Sequence, residues 1–179
     1  MHLRILINDL ATLINPEIKI ADIATINEGD EFLETKSSIV LSVVNIQEDK
    51  TLKNQPSYVK NLDKTTEIFE NPPQYFTISL LFTSYTKDQT NYLEGLEKLS
   101  NIIEYFQINN SFYYQNTTES LITFSLFRNL SNAEQEKYSK ITAMPVSLNM
   151  EQLHQMWSYL GSRYMPSILI EMRLIKIQK

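Results

Sequence analysis

Two runs constrain the fold more than anything else in the chain. Ser38 to Ile46 places Ile39, Val40, Leu41, Val43, Val44 and Ile46 within nine positions, and Gln74 to Tyr85 carries Tyr75, Phe76, Ile78, Leu80, Leu81, Phe82 and Tyr85. Both runs are rich in β-branched or aromatic residues and too short for a core helix, so they read as buried strands. A buried sheet needs cover, and the rest of the chain must supply it.

The cover is legible as helices between further strands. Leu3, Leu6, Ile7, Leu10, Leu13 and Ile14 form one helical face within Met1 to Asn15, and Pro16 stops that helix. A short strand is expected over Ile18 to Ile26, then an acidic loop through Asn27-Glu28-Gly29-Asp30. Gln47 to Asn71 is polar and reads as an exposed excursion, with an edge strand around Ser57 to Thr65. Pro72-Pro73 then sets an extended entry to the second apolar run. Asp88 or Thr90 is expected to cap a helix whose face is Leu93, Leu96, Leu99, Ile102, Ile103 and Phe106.

Leu121 to Leu130 reads as a strand, Ser131 to Lys140 as a short helix opened by a capping box, and Ile141 to Leu148 as another strand. Asn149 with Gln152 caps a helix on which Met150, Leu153, Trp157 and Leu160 share a face, and Gly161 suits its left-handed stop. Pro166 opens a final strand, Ser167 to Ile177, in which Ile168, Ile170, Met172, Leu174 and Lys176 alternate with Leu169, Glu171, Arg173, Ile175 and Ile177. The expected fold class is α/β (α+β): one domain over residues 1–179, with a mixed sheet flanked by helices and a strand order that sequence leaves open.

Composition matters chiefly for what it removes. No cysteine is present, which excludes disulfides, thiolate nucleophiles and most structural zinc sites. His2 and His154 are the only histidines, and neither stands in a metal-ligand or acid–base spacing. Gly29, Gly95 and Gly161 are the only glycines, too few and too scattered for a phosphate-cradling loop. No serine lies in a nucleophile elbow, so no catalytic, cofactor-binding or metal-binding residue is expected, and a hydrolase working with carboxylates alone is the one enzymatic reading left.

The net charge of −5 argues against a nucleic-acid partner, and Phe112-Tyr113-Tyr114 lacks the basic neighbours of a base-stacking groove. No apolar run is long enough to span a bilayer, and the first residues lack a signal peptide's pattern, so cytoplasmic synthesis without membrane insertion is expected. Charge is unevenly spread. Glu17 to Lys36 is acidic, whereas Arg163 to Lys179 carries Arg163, Arg173, Lys176 and Lys179 against Glu171, a division suited to contacts between copies or partners.

Three stretches together carry a resemblance. The first runs from Val44 through Asn45, Ile46 and Glu48 to Leu52 and Asn54; the second leads from Pro72 and Pro73 through Leu81 and Phe82 to Phe106 and Gln107. The third joins Trp157, Gly161, Pro166 and Ser167 to Met172-Arg173-Leu174. In order and spacing the chain resembles the cap, or tail-terminator, proteins of contractile injection systems of the Photorhabdus virulence cassette and antifeeding-prophage type. It departs from them at Leu169 and Ile170, where a Tyr is common, and in a longer Leu130 to Leu148 segment.

The resemblance implies a phage tail-terminator-like domain that closes the end of a tube and its sheath as a homo-hexameric ring, in a phage-tail-like particle that is in some cases released from the cell. Partners would be the chain itself and the tube and sheath proteins. A non-catalytic adaptor or assembly chaperone is the other reading. Arg163, Tyr164, Glu171, Arg173 and Lys176 are the expected contact residues, with the last strand as a sheet edge open to strand addition and the polar excursion as a second contact surface.

Overall fold

Both apolar runs become long, adjacent strands. The computed structural model describes residues 3–26, 37–49, 58–60, 67–69, 74–86, 89–115 and 118–177. The chain forms α1 (Leu3–Ile14), β1 (Lys19–Ile20) and β2 (Ser37–Glu48), then a separate two-stranded hairpin of β3 (Tyr58–Lys60) and β4 (Glu67–Phe69). It continues through β5 (Gln74–Thr86), α2 (Tyr92–Ile108), β6 (Ser111–Gln115) and β7 (Ser120–Thr123). Two single-turn helices follow, α3 (Phe124–Phe127) and α4 (Asn132–Gln135), and then β8 (Tyr138–Val146), α5 (Met150–Leu160) and β9 (Ser167–Ile177).

Seven strands make one mixed sheet in the order β1-β2-β5-β9-β8-β6-β7, parallel only between β1 and β2. The last strand is therefore not an edge: β9 lies mid-sheet, bonded to β5 on one side and β8 on the other. In that central place Ile170, Met172 and Ile175 are fully buried. The expected strict alternation fails for the same strand. A register shift against β5 between Phe76 and Ile78 inserts one residue, so Ile175 continues the face of Ile170 and Met172.

Helix α1 touches both β1 and β7, the first and last strands in the order, and Asp9 Oδ2 accepts the Leu121 N–H at 3.2 Å. The sheet must curl for one helix to reach both ends. Its inner face, lined by Leu41, Leu80, Phe82, Phe112, Ile141 and Ile170, closes on Leu6 and Leu10 of α1 and on Leu99, Ile102 and Phe106 of α2. A smaller cluster on the other face packs Val40, Leu81 and Tyr85 under Trp157, Met165 and Ile23. Successive residues Leu81 and Phe82 thus serve different cores, which is why the second run is apolar throughout.

Local chemistry moves several expected boundaries. The strand expected over Ile18 to Ile26 ends at Ile20, because Asp22 Oδ1 accepts the Ala24 N–H at 3.0 Å and starts a single 3-10 turn, Ile23–Thr25. The strand expected over Leu121 to Leu130 ends at Thr123: Phe127 stacks on Tyr113 with ring centroids 3.7 Å apart, which folds the chain back as α3. The Ser131 and Glu134 capping box is present, but α4 stops after one turn and β8 begins at Tyr138. The hairpin of β3 and β4 stands apart from the main sheet, so it supplies no edge strand there, and most of the excursion lies outside the described residues.

Helix α2 starts later than expected. Thr90 lies in a 3-10 turn, Asn91 precedes the helix without a side-chain cap, and Asp88 is outside the described residues. Its buried face is Gly95, Leu99, Ile102 and Phe106, while Leu93 and Ile103 are exposed. Gly95 explains the rotation, since a Cβ there would collide with the Ser84 hydroxyl of β5. Gly95→Ala is expected to cost about 1–3 kcal/mol through overpacking, despite the better helix propensity of Ala. A lowered urea midpoint at unchanged m-value checks it.

The ends of α5 match the sequence reading. Gln152 N–H donates to Asn149 Oδ1 at 2.8 Å, and Gly161 has φ 64°. Its face differs at one position: Met150 is exposed, and Met156 joins Leu153, Trp157 and Leu160 against the sheet.

Candidate interaction surfaces

Chemistry is sparse on this fold. Among the described residues no three His, Cys, Asp or Glu side chains are grouped to hold a metal ion, and His154 is exposed on α5. The perturbed groups have structural causes. Hydrogen bonds from the Ser131 side chain and backbone hold the Glu134 carboxyl below its usual range, and burial raises the Tyr105 phenol.

The motif positions divide by role. Leu81, Phe82, Phe106 and Trp157 are core; Gly161 is the stop of α5; the Pro166 carbonyl accepts the Ser84 N–H at 2.9 Å, which aligns Ser167 opposite Thr83 at the start of β9. Asn45 and Gln107 are exposed, Glu48 is half-buried, and Leu52, Asn54, Pro72 and Pro73 lie outside the described residues.

Four of the five expected contact residues lie on the α5 side of the sheet as two separate pairs, Arg163 and Tyr164 near its Tyr85 end and Glu171 with Arg173 farther along β9. Arg163 lies 5.7 Å above the Tyr85 ring, and Tyr164 sits edge-on to Trp157 at 6.0 Å with most of its surface exposed. Glu171 and Arg173 alternate with the core residues Ile170 and Met172 and therefore share the face of Leu169, which packs against the α5 cluster. Their side chains pair at 2.9 Å, and this hydrogen bond raises the Arg173 pKa, keeping the guanidinium charged. A surface pair of this kind adds little stability. The Lys176 side chain is outside the described set.

A second surface escapes the sequence reading. The ladder between β2 and β5 shifts register between Val43 and Asn45, and this bulge turns Val43 and Ile46, three residues apart, to the same side. With Ile20, Ile78 and the α1 residues Leu3, Arg4, Ile7 and Asn8 they line an open groove of about 280 Å³. Ile20, Val43 and Ile46 are 40%, 43% and 49% exposed. Beyond Leu41, no strand among the described residues pairs with the outer side of β2, so this is the open edge that β9 is not.

The mixed, curled sheet with helices on both faces is a fold shared with two solved structures. The sheath/tube terminator of an extracellular contractile injection system, PVC, in its extended state is similar over the whole of this chain at TM-score 0.62 and 12% identity. The anti-feeding prophage cap, a tube-terminating cap, is similar over the same length at TM-score 0.62 and 16% identity. This chain spans 57% and 56% of those two proteins. No curated protein matches it by sequence. The Pvc16 N-terminal domain model matches residues 3–179, and the chain belongs to that family.

Proposed function

We propose that this chain is a non-catalytic structural cap that ends the tube and sheath of a contractile, phage-tail-like injection particle, as one terminator domain over residues 1–179. The observation that carries the reading is the match of its whole length to two terminators, together with its family membership. The cap acts as a homo-hexameric ring whose partners are tube and sheath subunits, with neither nucleic acid nor a membrane among them. It is made in the cytoplasm and becomes a component of the assembled particle.

On the α5 side, the exposed Tyr164 ring leaning on the buried Trp157 anchor supports the partner contact, and the Glu171–Arg173 pair farther along β9 supports a second, charged one. The mass of the purified chain by light scattering tests the ring. A species near six times 20.9 kDa is expected, at least at the upper end of a concentration series. A closed dimer that neither grows with concentration nor binds particle ends would contradict it.

A further inference from the structure

Helix α2 carries two apolar stripes, and its own core uses one. Gly95, Leu99, Ile102 and Phe106 are buried against the sheet. Roughly 100° around the helix from them, Leu93, Leu96, Ser100 and Ile103 follow one another at spacings of three, four and three residues. That is the repeat of a helix-packing seam. Leu93 is 76% exposed, Ile103 is 39% exposed and Leu96 is half-buried. Ser100 lies in the middle of the seam, where its small side chain leaves room for a knob from a facing helix. Its hydroxyl donates to the Leu96 carbonyl at 3.1 Å, so covering the seam strands no donor there.

Charge on the margin says what can cover it. Glu97 and Glu104 are exposed one residue beyond Leu96 and Ile103, along the solvent side of the seam. Glu94, farther round the helix, pairs with Lys98 at 2.9 Å, but Glu97 and Glu104 have no cation partner among the described residues. A second copy of α2 laid on the seam would bring these carboxylates against their own equivalents, and like charges repel. The other described helices offer no better fit. Between them they carry one basic residue, Arg4 of α1, and the apolar faces of α1 and α5 are buried in their own fold. The charge pattern therefore calls for a basic helix from a different protein.

We propose that the Leu93, Leu96 and Ile103 seam of α2 is the docking site for an amphipathic helix of another subunit of the particle, whose aliphatic side chains pack along the seam and whose Lys or Arg residues meet Glu97 and Glu104. The inference rests on the cap reading above and adds a surface and the chemistry of its partner.

Particles purified from cells that lack this chain serve as the probe, with purified protein added back. Leu93→Ala is expected to bind them roughly tenfold more weakly than the parent at all salt concentrations. Glu97→Lys/Glu104→Lys is expected to associate roughly tenfold more slowly at low salt, a difference that shrinks as salt rises. Unchanged urea midpoints establish that both variants are folded. Parent-like binding of both variants overturns the assignment alone; if the parent itself does not bind, the cap reading has failed and the assignment with it. The partner is read by photo-crosslinking. Because the chain has no natural cysteine, Leu93→Cys takes a single maleimide–diazirine label, with Met150→Cys, exposed on α5, as the control. The expected product joins position 93 to a helix with Lys or Arg beside its apolar residues in another subunit, and the control does not give it. A product with a second copy of this chain, a product with a segment lacking basic residues, or no product above the control overturns the proposal.

Discussion

Phe82→Ala lowers the stability of the fold by about 3–5 kcal/mol, the cost of deleting a fully buried phenyl ring and leaving a cavity. Phe82 is 0% exposed on β5, opposite Leu41 of β2 and Ile168 of β9, and meets the Phe106 ring of α2 edge-on at 5.7 Å. The cavity therefore opens where three strands and a helix meet, a place with little room to collapse. Leu93→Ala, on the exposed side of α2, stays within about 0.5 kcal/mol of the parent. Urea unfolding followed by the emission of the single tryptophan separates the two. A midpoint that falls with unchanged m-value reports lost stability; a Phe82→Ala loss as small as that of Leu93→Ala would mean the central strand is misplaced.

Trp157→Ala costs a similar amount, about 3–5 kcal/mol, but acts on the other face of the sheet. Trp157 is 4% exposed and joins α5 to Val40, Leu81 and Tyr85. Its indole N–H has no acceptor among the described residues, so its contribution comes from packing and not from a hydrogen bond. Trp157→Phe should accordingly lose less than half as much, measured by far-UV circular dichroism since the fluorophore is gone. Equal losses for Phe and Ala would show that the indole makes a polar contact after all. The Tyr164 ring leans on Trp157, so the Ala variant should also weaken partner binding, whereas Tyr164→Ala leaves the fold intact.

Features set by neighbouring residues are legible in sequence, and features set by distant pairing are not. The helix between Asn149 and Gly161 and the limits of the last strand follow from a cap, a left-handed stop and Pro166, all local chemistry. The central place of β9 depends on ladders to β5 and β8 that no local pattern encodes, so reading it as an edge is an error of topology. The face of α2 is misread because hydrophobicity alone ranks Leu93 above Gly95, while close approach to Ser84 requires the residue without a side chain. The groove depends on a single-residue bulge, and Val43 and Ile46 read as ordinary core residues until that bulge turns both toward α1. Charge and position near the terminus single out Arg163, Tyr164, Glu171 and Arg173; their shared side of the sheet follows from the alternation of β9 and the return of the loop after α5.

The central claim is that this chain sets where tube and sheath end. Electron microscopy of particles from producing cells that lack it tests this most directly, with the length of every tube and sheath measured. The account predicts loss of a uniform length: tubes that overrun or sheaths that detach, with the defect reversed when the chain is restored. Particles of normal, uniform length with closed ends in its absence would contradict it.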